Sequence, residues 1–313
     1  MLIEFSKYQG AGNDFVILNN TSRRYDALTT RDIALLCDRR FGIGADGLLL
    51  LSPDTDHAFR MVYYNQDGSR ATFCGNGARC LAHFAVAAHV APPSTPFSFI
   101  ADDGAHTATV NLPRNWVDLQ MSPVASVQQL SPNSFQLNTG VPHYVEFVPN
   151  LDALDIMALA PAIRHSPRFQ PDGVNVNFVQ ILSPNHIALR TYERGVEAET
   201  LACGTGITAS AIATSLLQNP NPSTSPLQPQ ATPSIPNPSS PIPNDTTNPN
   251  PSPTFLFHVQ AQGGNLQVSF TQTSPTQFPS SPIQPAPPSF TNIHLCGPAT
   301  PTFHGATDSL PTN

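Results

Sequence analysis

The sequence predicts an α+β protein of two similar halves, each wrapping strands around one buried helix. Three observations carry this expectation. Short segments rich in β-branched and aromatic residues dominate the chain: "LIEFSK", "FVILN", "GLLLL", "FRMVYY", "HTATVNL", "VNVNFVQIL", "HIALRTY", "FLFHVQ" and "NLQVSFT". Two helical segments, residues 78–89 and 207–217, are apolar on most sides, the pattern of a helix without a solvent face. Each follows the same Cys-Gly-x-Gly element, in "TFCGNGARCLAHFA" and "LACGTGITASAIA", about half of the insert-free length apart. The recurrence reads as a divergent internal duplication. A further helix, "TTRDIALLCDRR", carries an amphipathic pattern and starts at Thr29 or Thr30 as its N-cap.

The 313 residues suffice for two cores. The net charge of −7 argues against a nucleic-acid partner or an anionic membrane surface. No basic-then-apolar leader opens the chain, and no apolar run reaches the ~18 residues of a membrane span. The expectation is a cytoplasmic protein. Five cysteines, an odd number in a long chain, argue against a disulfide framework. Proline gathers in two segments, with 12 in residues 220–253 and 6 in residues 274–289. Neither holds enough apolar surface to offset chain entropy, so both are expected to be disordered inserts rather than docking sites for a proline-binding module.

The paired cysteines are the chemical signal. The first amides of a helix lack intrahelical partners, and the macrodipole adds partial positive charge there. Gly75–Asn76 and Gly204–Thr205 therefore suit a carboxylate, and the same field favours a thiolate at Cys74 and Cys203. Two such helix ends facing one another would hold one carboxylate between two thiols. One thiolate could take an α-proton from an amino acid while the opposite thiol returns one, with no cofactor and no metal. A lone cysteine beside a helix is usually core, and Cys37, Cys80 and Cys296 are read that way. "GIGADG", residues 42–47, matches G-x-G-x-x-G. A helix pattern precedes it and a strand follows, the reverse of a dinucleotide site, so it reads as a turn. No Cys-x-x-Cys or His-Glu-x-x-His supports zinc.

With these elements in this order, the chain resembles diaminopimelate epimerase. The match runs through "GAGNDF", "NQDGS", "CGNG", "YERGVEAETLACGTG", "GGNLQV" and "GPATPTFHG" and spares only the two proline-rich inserts. The resemblance implies two pseudo-symmetric lobes with the active site in the cleft between them. It also implies pyridoxal-independent interconversion of LL- and meso-diaminopimelate, and a homodimer. Cys74 and Cys203 match the acid/base pair, and Gly75, Asn76, Gly204 and Thr205 match the helix-end groups. Asn13, Asn65, Asn175, Glu193 and Arg194 match substrate-binding positions, and His143 and Glu193 match positions that tune the thiols. Val141 stands where many relatives carry an asparagine that touches substrate. The lobes are expected at residues 1–124, completed by about 298–313, and at 125–297. Three rivals remain at this point: a proline or hydroxyproline racemase on the same fold, a thiol–disulfide redox protein, and a non-catalytic module that binds an amino acid without exchange.

Overall fold

The computed structural model describes residues 2–219, 252–273 and 288–307. The expectations for the two proline-rich segments therefore lie outside the described residues, apart from residues 252–253 and 288–289. Ser289 already belongs to a strand.

One pairing pattern occurs twice. Strand Ile3–Gly10 pairs antiparallel with Asn13–Asn19, which runs parallel to Gly47–Ser52, which is antiparallel to Arg60–Asn65. The short strand Arg70–Ala71 then leads into helix α2 (Gly75–Ala87). After it Phe97–Ala101 joins Arg60–Asn65 in parallel and turns antiparallel through Gly104–Asn111 to Trp116–Met121. Helix α1 (Thr30–Cys37) makes the first parallel crossover.

The second half repeats every relation. Ser134–Asn138 is antiparallel to Pro142–Phe147, which is parallel to Asn175–Ser183 across helix α3 (Ile156–Arg164). His186–Glu193 and Ala198–Thr200 follow antiparallel, then helix α4 (Gly204–Gln218). Thr254–Ala261 lies parallel to His186–Glu193 and continues antiparallel through Gly264–Thr273 and Ser289–Pro298. The final strands of the two halves pair antiparallel, Trp116–Met121 with Ser289–Pro298. The strand after each crosses over: Val127–Ser131 joins Ser134–Asn138, and Thr300–Thr307 joins Ile3–Gly10.

Each half has a helix inside its curled sheet and a second helix outside, which explains the strand sequences. In "GLLLL", Leu49 and Leu51 pack toward α2 while Leu48 and Leu50 pack toward α1, so the whole strand is apolar. In "VNVNFV", Val176 and Phe178 pack in the α3 cluster, whereas Val179 packs in the α4 cluster. The period of two therefore puts Asn175 and Asn177 on the inner face with Val179.

Helix α4 is buried from Gly206 to Ser215. Three of its hydroxyls are accommodated by back-bonding, Thr208 Oγ1 donating to Gly204 O, Thr214 Oγ1 to Ser210 O and Ser215 Oγ to Ile212 O, while the buried Ser210 Oγ has no partner among the described residues. Helix α3 was not legible in the sequence, because Pro161 inside a nine-residue segment masks its period. Among the described residues no helix is long and apolar enough to cross a membrane.

Helix α1 begins with a reciprocal capping box between Thr29 and Asp32. Its end is closed by "GIGADG", whose amides satisfy the last carbonyls: Ile43 and Gly44 N–H donate to Leu36 O, and Ala45 N–H to Cys37 O. A Cβ on Gly42 would lie 1.9 Å from Leu35 O. The motif is thus a helix terminator, and Gly42→Ala should destabilise the protein by ~1–3 kcal/mol or more. An unchanged thermal midpoint in that variant would contradict this account.

Candidate active site

The two Cys-Gly-x-Gly segments meet. Cys74 is the N-cap of α2 and Cys203 the N-cap of α4, and both line one cavity of about 420 Å³. The helix starts converge because Leu295, on the strand that joins the halves, packs beneath both. A Cβ on Gly204 would approach Leu295 Cδ2 to 2.9 Å, and one on Gly75 to 4.0 Å. Glycine at the first position of α4 is therefore what lets the helix seat this close.

The Asn76 side chain ties the two ends together. Its Nδ2 donates to Asn13 Oδ1 at 2.6 Å and to Ala202 O at 2.8 Å, and its Oδ1 accepts from Arg79 Nη2 at 2.7 Å. Both amide hydrogens are used within the protein, so the side chain has no donor left for a ligand. Asn13 is held in turn by Asp46 Oδ2, to which its Nδ2 donates at 3.1 Å. Asp46 also joins Arg39, which pairs with Asp14, which pairs with the buried Lys7. "GAGNDF" and "GIGADG" thus form one charged brace behind the site.

Eleven of the twelve expected site residues line the cavity: Asn13, Asn65, Cys74, Gly75, Asn76, Asn175, Glu193, Arg194, Cys203, Gly204 and Thr205. Asn175 Oδ1 accepts from Arg194 N at 2.7 Å, which leaves its amide hydrogens for a ligand. Among the described residues no carboxylate pairs with Arg194, whose Nη1 reaches only Asp172 O at 3.4 Å. Val141 lines the same cavity and offers no side-chain hydrogen bond. Tyr63, Asp103 and His106 also line it and were not singled out in the sequence, because nothing in their local pattern separates them from ordinary strand and turn residues.

His143 is the exception. It is completely buried away from the cavity lining, with Nδ1 hydrogen-bonded to Asn177 Nδ2 at 3.1 Å. Asn177 also donates to Tyr144 O and accepts from Thr191 Oγ1, so this cluster forms a buried network beneath the start of α4.

The electrostatics differ from the expectation of ready thiolates. Burial pushes the Cys74 thiol upward and outweighs the Gly77 and Asn76 main-chain N–H groups that pull it down. Burial likewise raises Cys203, with the Glu193 charge adding to it and Thr205 opposing. Thr205 Oγ1 lies 3.4 Å from Cys203 Sγ. Glu193 is itself pushed up by burial, and hydrogen bonds from Thr200 at 2.5 Å and from Cys203 pull it back. Desolvation thus dominates over the helix-end N–H groups at both sulfurs. Alkylation of Cys74 and Cys203 by iodoacetamide should accordingly be slower at neutral pH than for an exposed cysteine and accelerate into the alkaline range. Fast modification at pH 7 would mean that the helix field prevails over burial.

Burial holds His143 down at about 3, with the Arg194 charge acting in the same sense. An unfolded histidine takes up a proton near 6.5 that the native state refuses. This contribution to stability is complete above that value and is lost as the pH falls from about 6.5 toward 3. His143→Gln should flatten the acid side of the pH–Tm curve, and coincident curves for variant and parent would rule this out. Among the described residues no cluster of three or more His, Cys, Asp or Glu side chains could hold a metal ion.

The diaminopimelate epimerase family profile matches residues 5–126 and 135–225. A diaminopimelate epimerase of Flavobacterium psychrophilum is 41% identical over 293 residues, covering 94% of this chain and 95% of the relative. One from Campylobacter jejuni is 44% identical over 211 residues, covering 66% and 80%. Among solved structures, a phenazine biosynthesis protein of the PhzF family from Bacillus anthracis superposes with a TM-score of 0.63 at 12% identity, covering 99% of this chain and 100% of its own. A hydroxyproline epimerase from Agrobacterium vitis, with trans-4-hydroxy-L-proline bound, superposes with a TM-score of 0.57 at 14% identity, covering 97% and 92%. These distant likenesses define the α+β fold alone, whereas the sequence matches go further: the chain belongs to the diaminopimelate epimerase family.

Proposed function

We propose that the protein interconverts LL- and meso-diaminopimelate by a two-base reaction between Cys74 and Cys203. The observation that carries this is the pair of cysteine N-caps on one cavity, with the Asn76 amide bridging the two helix starts. The substrate carboxylate at the reacting end would lie between the first amides of α2 and α4. One cysteine, as thiolate, takes the proton from the α-carbon, and the electron pair spreads onto the carboxylate beside the two positive helix ends. The opposite thiol gives its proton to the other face of the same carbon and becomes the thiolate. Proton and charge balance within the cavity, and no cofactor takes part.

The raised thiols fit this sharing. With burial opposing charge on either sulfur, the favoured state carries at most one thiolate, and the neutral partner is then the acid. Glu193, which lines the cavity with Cys203 and opposes charge on it, would adjust which sulfur holds the charge. His143 would act only through the Asn177 network under α4. Arg194 and Asn175 offer a cation and amide donors to the distal carboxylate, and Asn13 and Asn65 complete the polar wall.

A substrate with a second zwitterionic end suits that wall better than proline does, which favours diaminopimelate over a cyclic amino acid. The homodimer implied by the family resemblance and the cytoplasmic setting expected from the composition belong to the same proposal.

Incubation of reduced protein with LL-diaminopimelate in heavy water should place deuterium at one α-carbon as the meso isomer forms. A folded, reduced sample that incorporates no label would reject the activity. Cys74→Ala and Cys203→Ala should each lower turnover by at least ~10²–10⁴-fold without loss of fold. Full activity in either variant would exclude the two-base reaction, and faster turnover of proline than of diaminopimelate would favour the racemase.

A further inference from the structure

Arg79 has no task in the reaction outlined above. It lies in the second turn of α2, is completely buried, and donates through Nη2 to Asn76 Oδ1. Among the described residues its Nε and Nη1 have no acceptor, and no carboxylate faces it. The ionisable groups around it are the thiols of Cys74 and Cys80 on its own helix and of Cys296 on strand Ser289–Pro298. Gly297 on that strand leaves it room, since a Cβ there would stand 3.1 Å from Nε.

Three costs meet at this side chain. A guanidinium stays protonated even where burial pulls its pKa down, so the charge is carried into the interior. Two donors are left unpaired. The charge also sits near the positive end of a helix, where the macrodipole opposes it. A side chain needed only to support Asn76 would require neither a net charge nor the two idle donors. The arrangement is favourable once an anion is present nearby. The two-cysteine reaction supplies two: a thiolate at Cys74 and a carboxylate at the starts of α2 and α4.

We propose that Arg79 is a positioning residue for the proton transfer, fixing Asn76 between the helix starts and placing a permanent buried charge behind Cys74 that favours its thiolate and the gathering charge on the bound carboxylate. This rests on the reading of Cys74 as an acid/base group. Cys74 is faced by Arg79 and Cys80 from its own helix, by Tyr63 from strand Arg60–Asn65, by Glu193 from strand His186–Glu193 and by Cys203 at the start of α4. Arg79 is the one cation in that set.

The test compares the parent with Arg79→Lys and Arg79→Met. Peptide mass spectrometry follows iodoacetamide labelling of Cys74 against pH, alongside kcat and KM for LL-diaminopimelate. Arg79→Met should move the Cys74 labelling curve upward by about one pH unit or more and lower kcat at least ~10-fold. Arg79→Lys should keep the curve close to the parent's and recover most of kcat, with the larger change in KM. An Arg79→Met protein whose Cys74 curve coincides with the parent's overturns the proposal, even if it is less stable.

If Arg79→Met does not fold, the parent still decides. The ¹⁵Nε signal of Arg79 should titrate with the midpoint of Cys74 labelling, and a signal indifferent to that ionisation overturns the proposal. Labelling and the nitrogen signal need no turnover, so they separate this proposal from the activity. An inactive parent would remove the epimerase reading with the Arg79–Cys74 coupling still measurable. An active parent with an uncoupled Cys74 would remove the role of Arg79 alone.

Discussion

The site depends on one carboxamide. Asn76 stands in the first turn of α2 and reaches across to Ala202 O, the residue before Cys203, while holding Asn13 with its second amide hydrogen. Each bond is individually modest, about 1 kcal/mol net in a folded protein. Their importance is geometric: the bond to Ala202 joins the two halves at the point where both inner helices begin, and the bond to Asn13 fixes the side chain that makes it. Leu295 beneath Gly75 and Gly204 sets how closely those helices approach, and Asn76 sets how they face each other. The brace of Asp46, Arg39, Asp14 and Lys7 then keeps Asn13 in place from behind.

The duplicated topology explains why such a joint is available. Each half closes its curled sheet over one inner helix, and the chain leaving each half crosses to pair with the other's first strand. Exchanging those strands makes the orientation of the halves part of the sheet. A cleft between two independently tethered lobes would vary in width. In this fold the continuous pairing from Trp116–Met121 to Ser289–Pro298 holds its floor.

Burial and helix-end electrostatics act against each other in the cavity. A cysteine at a helix N-terminus is ordinarily expected to ionise easily, and that expectation considers only the helix. Both cysteines also sit deep in the cavity, Cys203 buried and Cys74 half-buried, and desolvation is the larger effect on each. The consequence suits proton exchange between two like groups. In the proposed reaction neither site would hold a charge so comfortably that it refused the proton back.

Much of this was legible in the residues. The repeated Cys-Gly-x-Gly marks both inner helices, their apolar surfaces mark them as buried, and "GLLLL" and "VNVNFV" mark strands covered on both faces. The motif order carries the family and eleven of the residues that line the cavity. Helix α3 was hidden by Pro161, and the tasks of Asp46 and Asn177 were hidden because each acts through partners remote in sequence. Arg79 alone left a local trace, as a charge in an otherwise apolar helix. The sequence by itself determined the elements and which side chains could do acid–base chemistry, because propensity, period and capping act over a few residues. Only the tertiary structure decided that burial outweighs the helix-end N–H groups at both thiols, that His143 lies behind the site and that Asn76 spans the halves. Desolvation and long-range hydrogen bonds depend on what the rest of the chain places around each group.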